Sequence, residues 1–225
     1  MLTFILTQFQ VMNTPKRIQT NLEEILNAIS HGITAVSAVV GSIFLILVSM
    51  QNPNQWSLFS AIVFGLSLVL LYSFSTLYHA TKQVKTKQIF KILDHSGIFL
   101  LIAGSYTPVL LLAIGGKIGW IFFAGQWSMA VVGITLKLFY AGRFKGASTF
   151  IYALMGWSIV IKLPLLTASI PPQALQLLAL SGFAYTVGII FYTLDSKIKY
   201  AHFIWHLFVI VGSISHYFML LLYVF

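Results

Sequence analysis

Long apolar runs separated by short polar breaks fill the chain from residue 25 to its end. Runs near the ~20 residues that a helix needs to cross a bilayer fall at 25–49, 57–79, 93–114, 118–139, 147–166, 173–192 and 202–225. The breaks carry turn formers: Asn52-Pro53-Asn54, Gly115-Gly116, Gly142 with Gly146, and Pro171-Pro172. The pattern predicts an all-α fold, a seven-transmembrane helix bundle over residues 25–225. The fifth run is the least regular, with Lys162 and Pro164 near its end. Gly41, Gly65, Gly104, Gly133, Gly156, Gly182 and Gly188 lie inside runs, where a missing side chain lets neighbouring helices approach. Tyr106-Thr107-Pro108 sits within the third run and predicts a kink, with Pro108 releasing a backbone carbonyl. Residues 1–24 are expected to form a disordered or interfacial N-terminal segment. Within it, Met1 to Val11 has a short apolar patch without a basic flank or a small-residue cleavage site, a poor match to a signal peptide. It is read as a disordered tail, with Met12 as an alternative start.

Composition agrees with an integral membrane protein. Only 8% of the 225 residues are charged and 59% are hydrophobic, with a mean hydropathy of +0.93; a soluble domain is about 25% charged. The net charge of +9 comes from bases scattered through short breaks. That pattern implies contact with anionic lipid headgroups and control of topology, and argues against nucleic-acid binding. The N-terminal segment and the breaks after runs two, four and six, with their helix ends, hold Lys16, Arg17, Lys82, Lys85, Lys87, Lys91, Lys137, Arg143, Lys145, Lys197 and Lys199. Only Lys117 and Lys162 fall on the other side. Basic residues concentrate on the cytoplasmic side, so the N-terminus is expected in the cytoplasm and the C-terminus outside. A G-protein-coupled receptor has the reverse orientation. The expected location is the plasma membrane, the inner membrane in a bacterium. With no cysteine, any metal must be held by nitrogen and oxygen ligands.

The candidate chemistry is a small set of polar groups inside apolar runs. His202 and His206 stand one helical turn apart, Ser75 and His79 show the same spacing, and Asp94 opens the third run. Ionisable groups are costly in hydrocarbon, which makes each a candidate site. Each also has an ordinary explanation. A chain with this histidine content shows an i,i+4 histidine pair by chance about one time in eight. His79 could lie at headgroup level, Asp94 could pair with Lys91, and a helix serine usually bonds its own backbone. Direction of travel joins them: run two ends, and runs three and seven begin, on the lysine-rich side. Residues at i and i+4 share a face about 6 Å apart along the axis. All five groups are therefore expected in one layer of the cytoplasmic leaflet. Three imidazoles and a carboxylate are the makings of an open zinc site. His31, with Asn27 and Glu23 at four-residue intervals before it, either faces the same cavity or forms a polar helix-start face. His95 points about 100° away from Asp94 and is kept only as a supporting residue. His216, about 15 Å beyond His206 along a helix, is out of reach of the same ion.

Ser75-Thr-Leu-Tyr-His79, Asp94-His95 followed by Ala103-Gly-Ser-Tyr-Thr-Pro108, and His202-Phe-Ile-Trp-His206 resemble the signature segments of the hemolysin III family. That family is the bacterial branch of the progestin and adipoQ receptor superfamily, which includes the adiponectin receptors. Asn27-Ala-Ile-Ser-His31-Gly resembles the family's first-helix pattern. The resemblance spans helices 1 to 7, in order. It implies a cytoplasmic N-terminus and a Zn²⁺ ion in the inner leaflet held by His79, His202 and His206, with Asp94 holding the zinc-bound water and Ser75 supporting the site. The wider superfamily includes alkaline ceramidases, which suggests hydrolysis of an amide or ester in a membrane lipid.

Two other functions compete with hydrolysis. One is a non-enzymatic membrane homeostasis or sensor protein in which the metal fixes helix packing. The other is a pore-forming cytolysin, as the family name suggests; the runs lack the continuous polar stripe that a constitutive pore needs.

Overall fold

The computed structural model describes residues 17–139 and 145–225. The expectations for Met1 to Val11 and for Met12 fall outside these residues. The described helices are α1 (Asn21–Ser49), α2 (Ser57–Ala80), α3 (Val84–Pro108), α4 (Gly116–Phe139), α5 (Lys145–Trp157), α6 (Leu163–Ser169), α7 (Pro172–Leu194) and α8 (Ala201–Tyr223). A π-helical turn, Val109–Ile114, extends α3, and a 3-10 segment, Ser158–Lys162, joins α5 to α6. Together they form seven spans long and apolar enough to cross a membrane, with α5 and α6 sharing the fifth. The irregularity expected around Lys162 and Pro164 is this 3-10 link.

Two helices begin well before their apolar runs. α1 starts at Asn21 because Thr20 and Glu23 form a capping box: the Thr20 hydroxyl accepts from the Glu23 N–H, and the Glu23 carboxylate accepts from the Thr20 N–H. α3 starts at Val84, so Lys85, Lys87 and Lys91 lie on its first turns rather than in a loop. These turns are amphipathic, and a hydropathy window sees only the apolar part that follows.

The bundle is built on close contacts of α1 with α2, α2 with α3, and α7 with α8. Phe64, Leu68, Leu71 and Tyr72 of α2 are buried with Leu45 of α1 and with Met219 and Leu220 of α8. Small residues set the spacing. A Cβ on Gly104 of α3 would come within 2.7 Å of Ser67 Cβ on α2, and one on Gly188 of α7 within 2.9 Å of the Trp205 ring on α8. Gly41, Gly65 and Gly133 are similarly tight, whereas Gly156 and Gly182 face open space. Close packing thus accounts for five of the seven glycines singled out in the runs. Gly104→Ala is expected to lower stability by about 1–3 kcal/mol, the usual cost of overpacking. Thermal unfolding in detergent would measure it, and an unchanged Tm would contradict the close α2–α3 contact.

At Pro108, the position of the expected kink, the helix passes from α to π geometry. Here the Val109 N–H bonds to the Tyr106 carbonyl, and the Ser105 carbonyl is taken by His216 Nε2 at 3.0 Å. Tyr106 donates its hydroxyl to the Gly156 carbonyl, and Trp127 Nε1 donates to Thr107 Oγ1 at 3.1 Å. A buried backbone left short of partners costs free energy, so His216 serves this irregular stretch of helix from α8.

Candidate metal centre

The end of α2 and the start of α8 meet at the lysine-rich end of the bundle. His79 occupies the last turn of α2, which stops where Thr81 turns extended. α8 starts after Tyr200, a non-glycine residue held at φ 62°. This left-handed turn costs free energy and is secured by the Tyr200 N–H, which donates to Glu23 Oε1 at 2.7 Å. Arg17 pairs with the same glutamate. The start of α1 thereby holds the start of α8, and His202 and His206 follow in the first two turns. His79, His202 and His206 are all buried, and each offers one nitrogen within 4.8 Å of the others. Their ring centroids lie 5.1 Å (His79–His202), 5.0 Å (His79–His206) and 4.8 Å (His202–His206) apart.

Two carboxylates orient two of the rings. Glu24 Oε2 lies 2.7 Å from His79 Nδ1, and Asp195 Oδ2 lies 3.3 Å from His202 Nδ1. A carboxylate at Nδ1 accepts a hydrogen bond from the ring N–H there and leaves the lone pair on Nε2, the tautomer a metal needs. The opposite atoms, His79 Nε2 and His202 Nε2, are buried without a hydrogen-bond partner among the described residues, as is His206 Nδ1. His206 is fixed differently: the Asn27 backbone carbonyl faces its ring, and His31 stacks on it with centroids 3.6 Å apart and planes 10° from parallel. Unpaired buried polar atoms each cost about 1–3 kcal/mol. Three of them converging from oriented imidazoles fit a cation, so this group can hold a metal ion.

The sequence profile described as Haemolysin-III related matches residues 19–217. The chain belongs to the haemolysin III family. Among curated relatives of this haemolysin III chain, "Hemolysin-3 homolog" of Bacillus subtilis (strain 168) is 43% identical over 201 residues, covering 89% of this chain and 94% of the relative. "Hemolysin-3" of Bacillus cereus is 43% identical over 202 residues, covering 90% and 92%. The human "Monocyte to macrophage differentiation factor" is 30% identical over 204 residues, covering 88% and 83%.

The other candidates of this haemolysin III chain divide around the three histidines. Asp94 is buried on α3 within electrostatic reach of His202 and Lys91, and its carboxylate interacts with the Ser75 side chain. The contact falls short of a regular hydrogen bond, since the buried Ser75 Oγ has no partner of normal geometry. Asp94 does not join the three converging ligand nitrogens. Glu23, Asn27 and His31 are all buried, which decides between the two readings of that stripe: it faces inward, with His31 against His206 and Tyr72. His95 is outside the histidine group, and its backbone carbonyl accepts from the Tyr152 hydroxyl at 2.8 Å. Glu24 and Asp195 were not singled out by the sequence analysis, although each stands at a helix end near a histidine-bearing turn. The signal was the acidic scarcity itself: the chain has four acidic residues, and three of them, Glu24, Asp94 and Asp195, interact with histidines of this group.

Proposed function

We propose that this haemolysin III protein is a zinc-dependent membrane hydrolase that cleaves an amide or ester bond in a membrane lipid, with its centre near the cytoplasmic face of the plasma membrane. The observation that carries this reading is the set of three oriented imidazoles whose facing nitrogens are unpaired while Asp94 stays outside the set. Three protein ligands with a place left over is the arrangement of catalytic zinc sites, whereas structural sites are closed by four. An all-imidazole donor set suits zinc and not magnesium or calcium. The concentration of Lys and Arg at the same end supports the cytoplasmic placement.

His79, His202 and His206 would hold the ion. When bound, zinc would supply Lewis acidity, polarising a lipid carbonyl and making water more acidic. The chain's own groups do the rest. Asp94 acts as general base and takes the proton of the attacking water. The Ser75 hydroxyl turns its hydrogen toward the oxygen that gains negative charge as the carbonyl is attacked. Asp94 then returns the proton to the leaving nitrogen or oxygen. Glu24 and Asp195 keep two of the rings in register throughout. The deciding test is release of fatty acid from defined lipid pools by purified, zinc-loaded protein; no release from any amide- or ester-linked lipid would refute the assignment.

Glu24→Gln is expected to weaken zinc binding about 10–100-fold, the usual cost of losing a carboxylate behind a ligand histidine. Competition against a fluorescent zinc chelator measures it. Unchanged affinity would mean that His79 needs no orienting partner.

A second reading has its own support, because residues of the centre come from α1, α2 and α8 and would clasp these helices together once a metal is bound. In that case the protein is a membrane homeostasis or sensor component. Chelation would lower its thermal stability, and its cellular phenotype would survive Asp94→Ala.

A further inference from the structure

Beside the histidines, on the other side of Tyr78, lies a shallow, open cavity of about 250 Å³ lined by Tyr78, Lys82, Val84, Lys87, Gln88 and Lys91. Lys82 and Lys91 are exposed at the rim of this concave site, and Lys87 is drawn inward and half-buried. Its ammonium sits 5.0 Å from the centre of the Tyr78 ring and 2.9 Å from Glu24 Oε1. The other oxygen of that carboxylate, Oε2, is the one that orients His79 at 2.7 Å. Tyr78 itself lies against His79, with ring centroids 4.6 Å apart. One carboxylate and one aromatic ring therefore separate the basic cavity from the metal centre.

We propose that this cavity binds the phosphate headgroup of an anionic membrane lipid and seats it beside the histidines. The cavity is sized for a headgroup, and its bases are matched to phosphate. Val84 and Tyr78 give it an apolar wall for the first carbons of the lipid. Its position at the ends of two membrane-spanning helices is the depth at which headgroups lie, and clustered Lys there favours anionic lipids. That the occupant is the substrate rests on the hydrolytic reading above; it makes the substrate class a phosphate-bearing lipid with an amide or ester bond between headgroup and acyl chain. The binding site itself stands on the cavity's own geometry.

The test separates the two. Purified protein in a neutral detergent, stripped of metal so that no turnover occurs, is titrated with dioctanoyl phosphatidic acid, dioctanoylglycerol and inorganic phosphate, with native mass spectrometry as the readout. Phosphatidic acid is expected to bind and dioctanoylglycerol to bind far more weakly. Lys82→Gln/Lys91→Gln, which leaves the Lys87–Glu24 pair intact, should weaken phosphatidic acid binding about tenfold or more. Lys117→Gln, an exposed base at the opposite end of the chain's topology, should leave it unchanged. Equal binding by the double variant, or no preference for phosphatidic acid over dioctanoylglycerol, would overturn the site. Inorganic phosphate binding as tightly as phosphatidic acid would overturn the lipid assignment in favour of a soluble anion. Selective, lysine-dependent binding by a protein that hydrolyses no lipid would support the headgroup site and remove the hydrolytic reading alone.

Discussion

Single replacement of His79, His202 or His206 by alanine is expected to reduce copurifying zinc from about one equivalent to less than about a tenth, since three-ligand sites lose most of their affinity with any one ligand. The nitrogens of the three rings converge within 4.8 Å, so the remaining pair retains no comparable focus. Stability should follow occupancy. A ligand held at a thousand times its dissociation constant contributes about 4 kcal/mol to the folded state, so a chelator should lower the Tm of the wild type and have little effect on His206→Ala. Elemental analysis and detergent-phase unfolding measure the two effects separately. Full zinc retention in all three variants would show that these imidazoles are not its ligands. His31→Phe provides an instructive contrast: it keeps a flat ring against His206, where the native rings stack at 3.6 Å, and should keep most of the zinc.

Asp94→Asn should abolish most hydrolysis while leaving the metal in place. General-base assistance contributes about 10²–10⁴-fold to rate, and asparagine keeps the shape of the carboxylate without its basicity. Asp94 lies outside the ligand set, so zinc content should match wild type. Ser75→Ala should have a smaller effect of the same kind, because in the proposed mechanism its hydroxyl would supply a single hydrogen bond to the developing charge. Initial rates of fatty acid release on the same zinc-loaded preparations provide the comparison. If Asp94→Asn loses zinc in parallel with activity, the carboxylate is a ligand and the centre is closed.

Much of this architecture is legible in the sequence because a bilayer imposes strict rules. Each span must be apolar over a fixed length, and Asn52-Pro53-Asn54 or Pro171-Pro172 cannot be mistaken for its interior. Helix direction alternates from span to span, which is enough to bring His79, His202 and His206 to one end. What escaped was local. Glu24 stands just before the first apolar run and reads as a helix-start charge, yet its carboxylate reaches His79 on another helix. Asp195 lies in the turn before α8, where a charge is unremarkable by pattern, and only the left-handed Tyr200 turn brings it to His202. The amphipathic start of α3 was lost for the same reason: hydropathy averages a helix's two faces, so a span that begins in the headgroups looks like a loop.

The charges around the histidines have a consequence for selectivity. Glu24, Asp195 and Asp94 surround the imidazoles, and Lys87 is paired to Glu24. With these groups ionised, three carboxylates face two ammonium groups, Lys87 and the Lys91 whose field reaches Asp94, and leave a net negative charge. Such a charge is expensive beside hydrocarbon, so the surrounding shell would favour a cation and exclude an anion before ligand geometry discriminates among metals.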